Sequence, residues 1–244
     1  MTNRHIIAYS TENQDVANTI DQHLSHTGFK FEHLSSKDTN LIEGIGDRLT
    51  QLDKPTILLV SNNFLKSAEC MKDGLEYIQK LTNLGNILPI IIDGRHQNEN
   101  GEMESIPTAF DRVSHIIKYM NFWQEQYLEL RKQKRTISPA EEPDFNHKLS
   151  TVRGISSNIG EFLRYLRSIR HYDFNQFQKE NYKAFFEFAN DFKNYQSFSE
   201  WFENEHQNVE VKEAVLEMSG ESNVAETQSS EDSDLVNLIN SSSQ

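Results

Sequence analysis

Pro55-Thr-Ile-Leu-Leu-Val-Ser-Asn-Asn-Phe-Leu-Lys-Ser67-Ala-Glu-Cys70-Met-Lys-Asp73-Gly-Leu-Glu76, with the run Asn86-Ile-Leu-Pro-Ile-Ile-Ile92-Asp-Gly94 that follows it, decides the fold. Both ends of this stretch are short apolar runs without polar alternation, bounded by turn-forming residues, the pattern of strands covered on both faces in a parallel sheet. About two dozen residues separate them, enough for the helical crossover that a parallel pair requires. Working outward toward the N-terminus, His5-Ile-Ile-Ala-Tyr9 reads as another buried strand, and Ser10-Thr11 offers hydroxyls suited to capping a helix. That helix runs to about Ser25 with Val16, Ile20 and Leu24 on its inner face, and Gly28 stops it. Phe29 to Leu34 alternates like a strand with one wetter face, which suits the sheet edge. Thr39 or Asn40 is placed to cap a helix burying Leu41, Ile42, Ile45 and Leu49.

The order strand, helix, strand, helix, strand, helix, strand predicts a doubly wound parallel sheet whose ligands sit at the carboxyl ends of the strands. The ends concerned are Tyr9-Ser10, Leu34-Ser35 and Ser61-Asn62. Beyond the fourth strand, Asp93 to Ser105 reads as an exposed polar loop, and Pro107 is placed to open a helix. Val113, Ile116 and Ile117 fit either a short fifth strand or a helix, and Tyr119 to Arg135 is helical. Lys132 to Pro143 has the composition of a linker. The expected organisation is therefore an α/β domain over 1–135, a helical appendage over 145–218 and a disordered acidic, serine-rich tail over 219–244. In the appendage Ile155, Ile159, Phe162, Leu163 and Leu166 fall at helical spacing, and nine of the 15 Phe lie between Phe162 and Phe202, an aromatic set read as core rather than as a partner surface. The tail holds five acidic residues, no Lys or Arg and no aromatic, too little apolar area to offset its ordering entropy. Its one apolar island, Leu235 to Ile239, is read as a remnant.

With 24 basic against 37 acidic residues the chain carries −13, which disfavours attraction to nucleic acid or an anionic membrane. A single cysteine cannot form an internal disulfide, and no run reaches the ~18 apolar residues of a membrane span, so a soluble cytoplasmic protein is expected. Nine scattered histidines form no HExxH pattern, and no metal or bound cofactor is expected. Neither GxGxxG nor a P-loop lysine is present, so a nucleotide would be held without a glycine-rich turn. Cys70 reads as a small buried hydrophobe, and Arg164, Arg167 and Arg170, three residues apart, as a solvated face.

The first strand with Ser10, the segment from Ile57 through Ser61-Asn-Asn-Phe-Leu-Lys-Ser67 to Cys70, and the Ile87-Leu-Pro-Ile-Ile strand together resemble a bacterial Toll/interleukin-1 receptor (TIR) domain over roughly residues 3 to 130. The resemblance implies a flavodoxin-like fold, self-association through that domain, and in many relatives hydrolysis or cyclisation of NAD at its nicotinamide–ribose bond in cell-suicide responses to phage. NAD would be substrate, and the resemblance leaves open a protein or a cyclic nucleotide as activator. The family's catalytic glutamate usually stands three places after the motif cysteine, where this chain has Asp73, whereas counting back from the fourth strand lands on Glu76. A carboxylate there would stabilise the positive charge that develops on the sugar as the base departs. Asp is one methylene shorter than Glu, and misplacement by about 1 Å can cost ~10²-fold. Tyr9, Ser10, Thr11, Ser35 and Ser61 are the expected substrate contacts; Ser61 reads equally as a turn residue, and Tyr9, Ser10 and Thr11 equally as a helix cap. The alternative that Asp73 raises is a catalytically silent scaffold for homotypic signalling.

Overall fold

The computed structural model describes residues 4–205. The appendage beyond 205, the acidic tail and the Leu235 to Ile239 island lie outside the described residues. The described residues up to 198 form one compact unit, and of a second unit beginning at Ser199 the described residues, 199–205, are helical.

Five parallel strands in the order β2-β1-β3-β4-β7 make the sheet: β1 (Arg4–Tyr9), β2 (Lys30–Ser35), β3 (Thr56–Val60), β4 (Ile87–Ile91) and β7 (Tyr172–Asp173). Chain order reverses between β1 and β3, which makes the carboxyl ends of these two strands the topological switch point. The architecture is thus a doubly wound, flavodoxin-like α/β fold. Every residue of β3 is buried, as its unbroken apolar run requires, whereas β2 at the edge alternates between exposed and half-buried positions before Leu34.

Side chains alternate across the sheet. Ile6, Ala8, Leu58 and Val60 point to one face, packed with Ile45 and Leu49 of α2 (Ile45–Leu52) and Tyr77, Ile78 and Leu81 of α5 (Gly74–Asn83). The same cluster takes in Trp123 of α6 (Val113–Gln133) and Val152, Ile155, Ile159, Phe162, Leu163 and Leu166 of α7 (Glu142–Ser168). On the other face α1 (Gln14–Ser25) buries Val16, Ala17, Ile20 and Leu24, the spacing expected from the sequence. Beside it His5 and Phe29 meet the ring of Phe185, at centroid separations of 5.3 and 4.8 Å, from α9 (Lys183–Phe188), which α8 (Phe174–Lys179) precedes. Phe177, Phe185 and Phe186 are core, but the set Phe185, Phe188, Phe192 and Tyr195, expected from its three- and four-residue spacing to be buried together, is not: α9 ends at Phe188, and Phe192 is 58% exposed.

Several local readings are corrected. The central crossover is three helical pieces, α3 (Asn62–Lys66), α4 (Ala68–Met71) and α5, not one. It breaks at Ser67, whose side chain caps α4 by accepting from the Cys70 N–H, and at Asp73, held in the left-handed region at φ 52°. The helix expected from residue 40 starts at Ile45 because Asn40 uses its side-chain oxygen to accept from the N–H groups of Ile42 and Glu43, closing a turn instead. Pro107 opens no helix; α6 begins at Val113 and resolves the strand-or-helix ambiguity of that segment. The polar stretch after β4 is a hairpin, β5 (Gly94–Gln97) with β6 (Met103–Ile106). The fifth strand of the sheet, β7, comes from beyond the linker, pairing Ile90 with Tyr172 and Ile91 with Asp173. The segment after the linker therefore supplies both a sheet edge and a layer of the core.

Candidate functional site

At the switch point the polar side chains that end the strands are spent on one another. Ser10 donates its hydroxyl to Glu12 at 2.5 Å, and Ser35 donates hydroxyl and N–H to Asp38 at 2.5 and 2.8 Å. Thr11 shares its hydroxyl with Ser36 at 2.9 Å and receives the Lys37 N–H at 3.2 Å. Ser61 accepts the Phe64 N–H at 3.0 Å as the N-cap of α3. Tyr9 is bonded to His33, whose other ring nitrogen meets Asp21 at 2.9 Å. Burial, helped by the Asp38 charge, raises the Tyr9 phenol's pKa, and the Ser35 hydroxyl and N–H bonds lower that of Asp38. Ser10, Ser35 and Ser61 are 1%, 2% and 0% exposed. A side-chain oxygen fixed and covered in this way has no open face for a ligand.

The hairpin is tied to the switch point by two asparagines. Asn63 accepts the Arg95 N–H at 2.7 Å and donates to the Arg95 carbonyl at 2.9 Å, so its amide acts as one more strand partner for β5. Asn13, fully buried, donates to the Asp93 carbonyl at 2.8 Å. Gly94 fits only because it lacks a Cβ, which would lie 2.5 Å from the Asn63 side-chain oxygen. Sequence reasoning missed Glu12, Asp38, Asn13 and Asn63 here. The available signal was a carboxylate two residues after Ser10 and three after Ser35, within reach of each hydroxyl.

The two candidate acids lie elsewhere. Asp73 and Glu76 are exposed at the start of α5, and both line a cleft of about 640 Å³ between α2 and α5. Glu43, Asp47, Lys72 and Lys80 share that cleft, with Ile42, 72% exposed, among its lining residues. Lys72 bridges Asp47 at 2.6 Å and Asp73 at 2.8 Å. Burial alone would lower its pKa, and the two carboxylates outweigh that and raise it. A second cleft of about 320 Å³ lies on the other side of Lys72 and Asp73, against the His147, Ser150, Thr151, Gly154 and Asn158 face of α7. Neither cleft is lined by Tyr9, Ser10, Thr11, Ser35 or Ser61. The structure thus brings Asp73 and Glu76 to one cleft, which none of the five expected contacts lines.

No family model, no curated protein and no solved structure matches this chain.

The chemistry of the larger cleft follows from its charges. Four carboxylates face two ammonium groups, one of which is already paired twice, so the cleft attracts cationic groups and repels phosphates. Tyr77 offers no ring face for stacking, being 3% exposed with its hydroxyl donated to the Cys70 carbonyl at 3.1 Å. Cys70 itself is buried, and desolvation pushes its thiol well above the usual range, which leaves it inert as a nucleophile. Arg164 pairs with Glu161, Arg167 donates to the Asp111 carbonyl and Arg170 pairs with Glu187, so the three arginines do not converge. Among the described residues no group of three or more His, Cys, Asp or Glu is placed to hold a metal ion, and no helix is long and apolar enough to cross a membrane.

Proposed function

We propose that this chain is a TIR-like signalling module that works by pairing with other protein surfaces, its own kind first, and not by cleaving NAD. The resemblance of the Ile57 to Cys70 segment supplies the family, and the doubly wound sheet is the fold that family implies. The observation that carries the pairing reading over catalysis is the dispersal of the expected centre. The strand-end hydroxyls are buried in internal bonds, while Asp73 and Glu76 stand exposed in an acidic cleft that none of them lines. A dinucleotide brings a pyrophosphate, which such a cleft disfavours; a basic patch on a protein suits it.

A second reading, NAD cleavage, is favoured by one feature: both residues to which the motif counts point line the same cleft. In that reaction the nicotinamide–ribose bond breaks, the base leaves with the bonding pair, a carboxylate stabilises the sugar cation, and water or an internal nucleophile completes it. The assay is nicotinamide release from NAD by full-length protein at tens of micromolar, alongside Asp73→Ala with Glu76→Ala, and Asp73→Glu, which installs the family's usual residue. The expected result is no release above buffer from any of them. Turnover by the unaltered chain that falls by about 10²-fold or more in the double variant would replace the pairing reading with the enzymatic one.

A further inference from the structure

We infer that the outward stripe of α6 is the face on which two copies of this chain meet, antiparallel, across a two-fold axis near Met120. The inference rests on the pairing reading above and names its surface. Four of the eight large apolar side chains exposed among the described residues fall on this one helix: Val113 (67%), Ile117 (47%), Met120 (37%) and Leu128 (44%). Single exposed apolar residues are ordinary. These four, with Gln124 completing the interval, follow the helical repeat 113, 117, 120, 124, 128 and form one line about 22 Å long. The line lies beside the seam that α6 presents to the core, where Ile116, Tyr119, Trp123 and Leu130 are buried, so it is a second apolar face on a helix already anchored by its first. Met120 is held at the junction, with its sulfur 3.2 Å from where a Cβ on Gly160 of α7 would be.

Charge chooses the occupant. Lys118 and Glu125, both exposed, flank the line on the same side because they are seven residues, two turns, apart. Neither makes an ion pair within the described residues. In a parallel pair the two-fold axis runs along the helices and puts this flank of one copy on the opposite side from the same flank of the other, so Lys118 and Glu125 do not meet. An antiparallel pair that places Val113 opposite Leu128 brings each Lys118 to within about 3 Å, along the axis, of the partner copy's Glu125. The stripe is then self-complementary in apolar surface and in charge, which is the requirement of an isologous two-fold contact. With −13 on each chain, long-range repulsion opposes indiscriminate association, so a contact between copies needs such local matching.

The test is sedimentation of the full chain over a micromolar concentration series. The expected result is a reversible dimer that Ile117→Glu weakens on the order of 10²-fold, through two carboxylates buried without partners, while thermal melting at concentrations where the chain is monomeric stays unchanged. Lys118→Glu alone weakens it by roughly fivefold to tenfold, and adding Glu125→Lys restores it to within about twofold. A dimer indifferent to Ile117→Glu and to the charge reversals overturns this face and leaves pairing through another. A chain that stays monomeric throughout the series overturns the pairing reading itself.

Discussion

A chain ended at Thr136 is expected to lose cooperative folding, although its sequence up to that point contains four of the five strands. What it loses is α7, which buries Val152, Ile155, Ile159, Phe162, Leu163 and Leu166 in the same cluster as β1, β3, α2 and α5, and with it the β7 edge. Each such side chain contributes about 1.5–3 kcal/mol by burial, so the set matches the whole 5–15 kcal/mol by which a domain of this kind is stable. What is uncovered in return includes the Met71 side chain and Gly74, against which the Phe162 ring of α7 lies. A milder version keeps the chain whole. Phe162→Ala removes a ring 1% exposed that lies against Gly74, and is expected to cost about 3–5 kcal/mol, lowering Tm by roughly 6 to 20 °C. Circular dichroism melts of both proteins check this. A sharp transition in the truncated chain, near that of the intact one, would mean that the segment after the linker is dispensable.

That expectation depends on a feature the sequence did not advertise. The strands at the centre were legible because burial on both faces leaves an unbroken apolar run, as in Ile57 to Val60 and Ile87 to Ile91. β7 has two residues, one of them Asp173, whose side chain also caps α8, and two residues cannot display a period. The polar run from Lys132 to Pro143 reads as a boundary, yet it only joins the end of α6, by way of a 3-10 turn, to the first turn of α7, which packs back along it. Likewise Val113 and Ile117 look like core when counted with Ile116. In the helix they point away from it, and Ile116, Tyr119, Trp123 and Leu130 carry the burial.

The site was legible in chemistry but not in geometry. Hydroxyls at the ends of β1 and β3 do stand at the switch point, with that of edge strand β2 beside them, as the fold class dictates. Whether such a hydroxyl meets a ligand depends on what else is within reach, and Glu12 and Asp38 are. The position of Asp73 is set by the break in the crossover. Had α3 to α5 been one continuous helix, Asp73 and Glu76 would sit a turn apart on a single face. Instead Asp73 is the left-handed residue before α5, its carboxylate turned to Lys72, and the acids end up in the cleft beside α2.

That cleft supplies the last expectation, because α2 and α5 approach through a single glycine. A Cβ built on Gly46 would lie 2.1 Å from Cδ1 and 2.7 Å from Cγ of Tyr77, inside any tolerable contact. Tyr77 cannot yield: its ring is 3% exposed, and its hydroxyl is tied to the Cys70 carbonyl at 3.1 Å. Gly46→Val must therefore push α2 off α5. Overpacking of this kind costs about 1–3 kcal/mol and sometimes more, and the immobile ring puts this case at roughly 3 kcal/mol, or some 6 to 12 °C in Tm. Gly154→Ala is the matched control, since an added Cβ in the middle of α7 meets nothing within 4 Å and should stabilise by about 0.5–1 kcal/mol through helix propensity alone. Because Gly46 and Tyr77 line the acidic cleft, Gly46→Val should also part Lys72 from Asp47, a loss readable as a change in the lysine's titration by NMR. Should Gly46→Val melt like the unaltered protein while Gly154→Ala behaves as described, the close packing of α2 on α5 would be wrong, and the cleft between them with it.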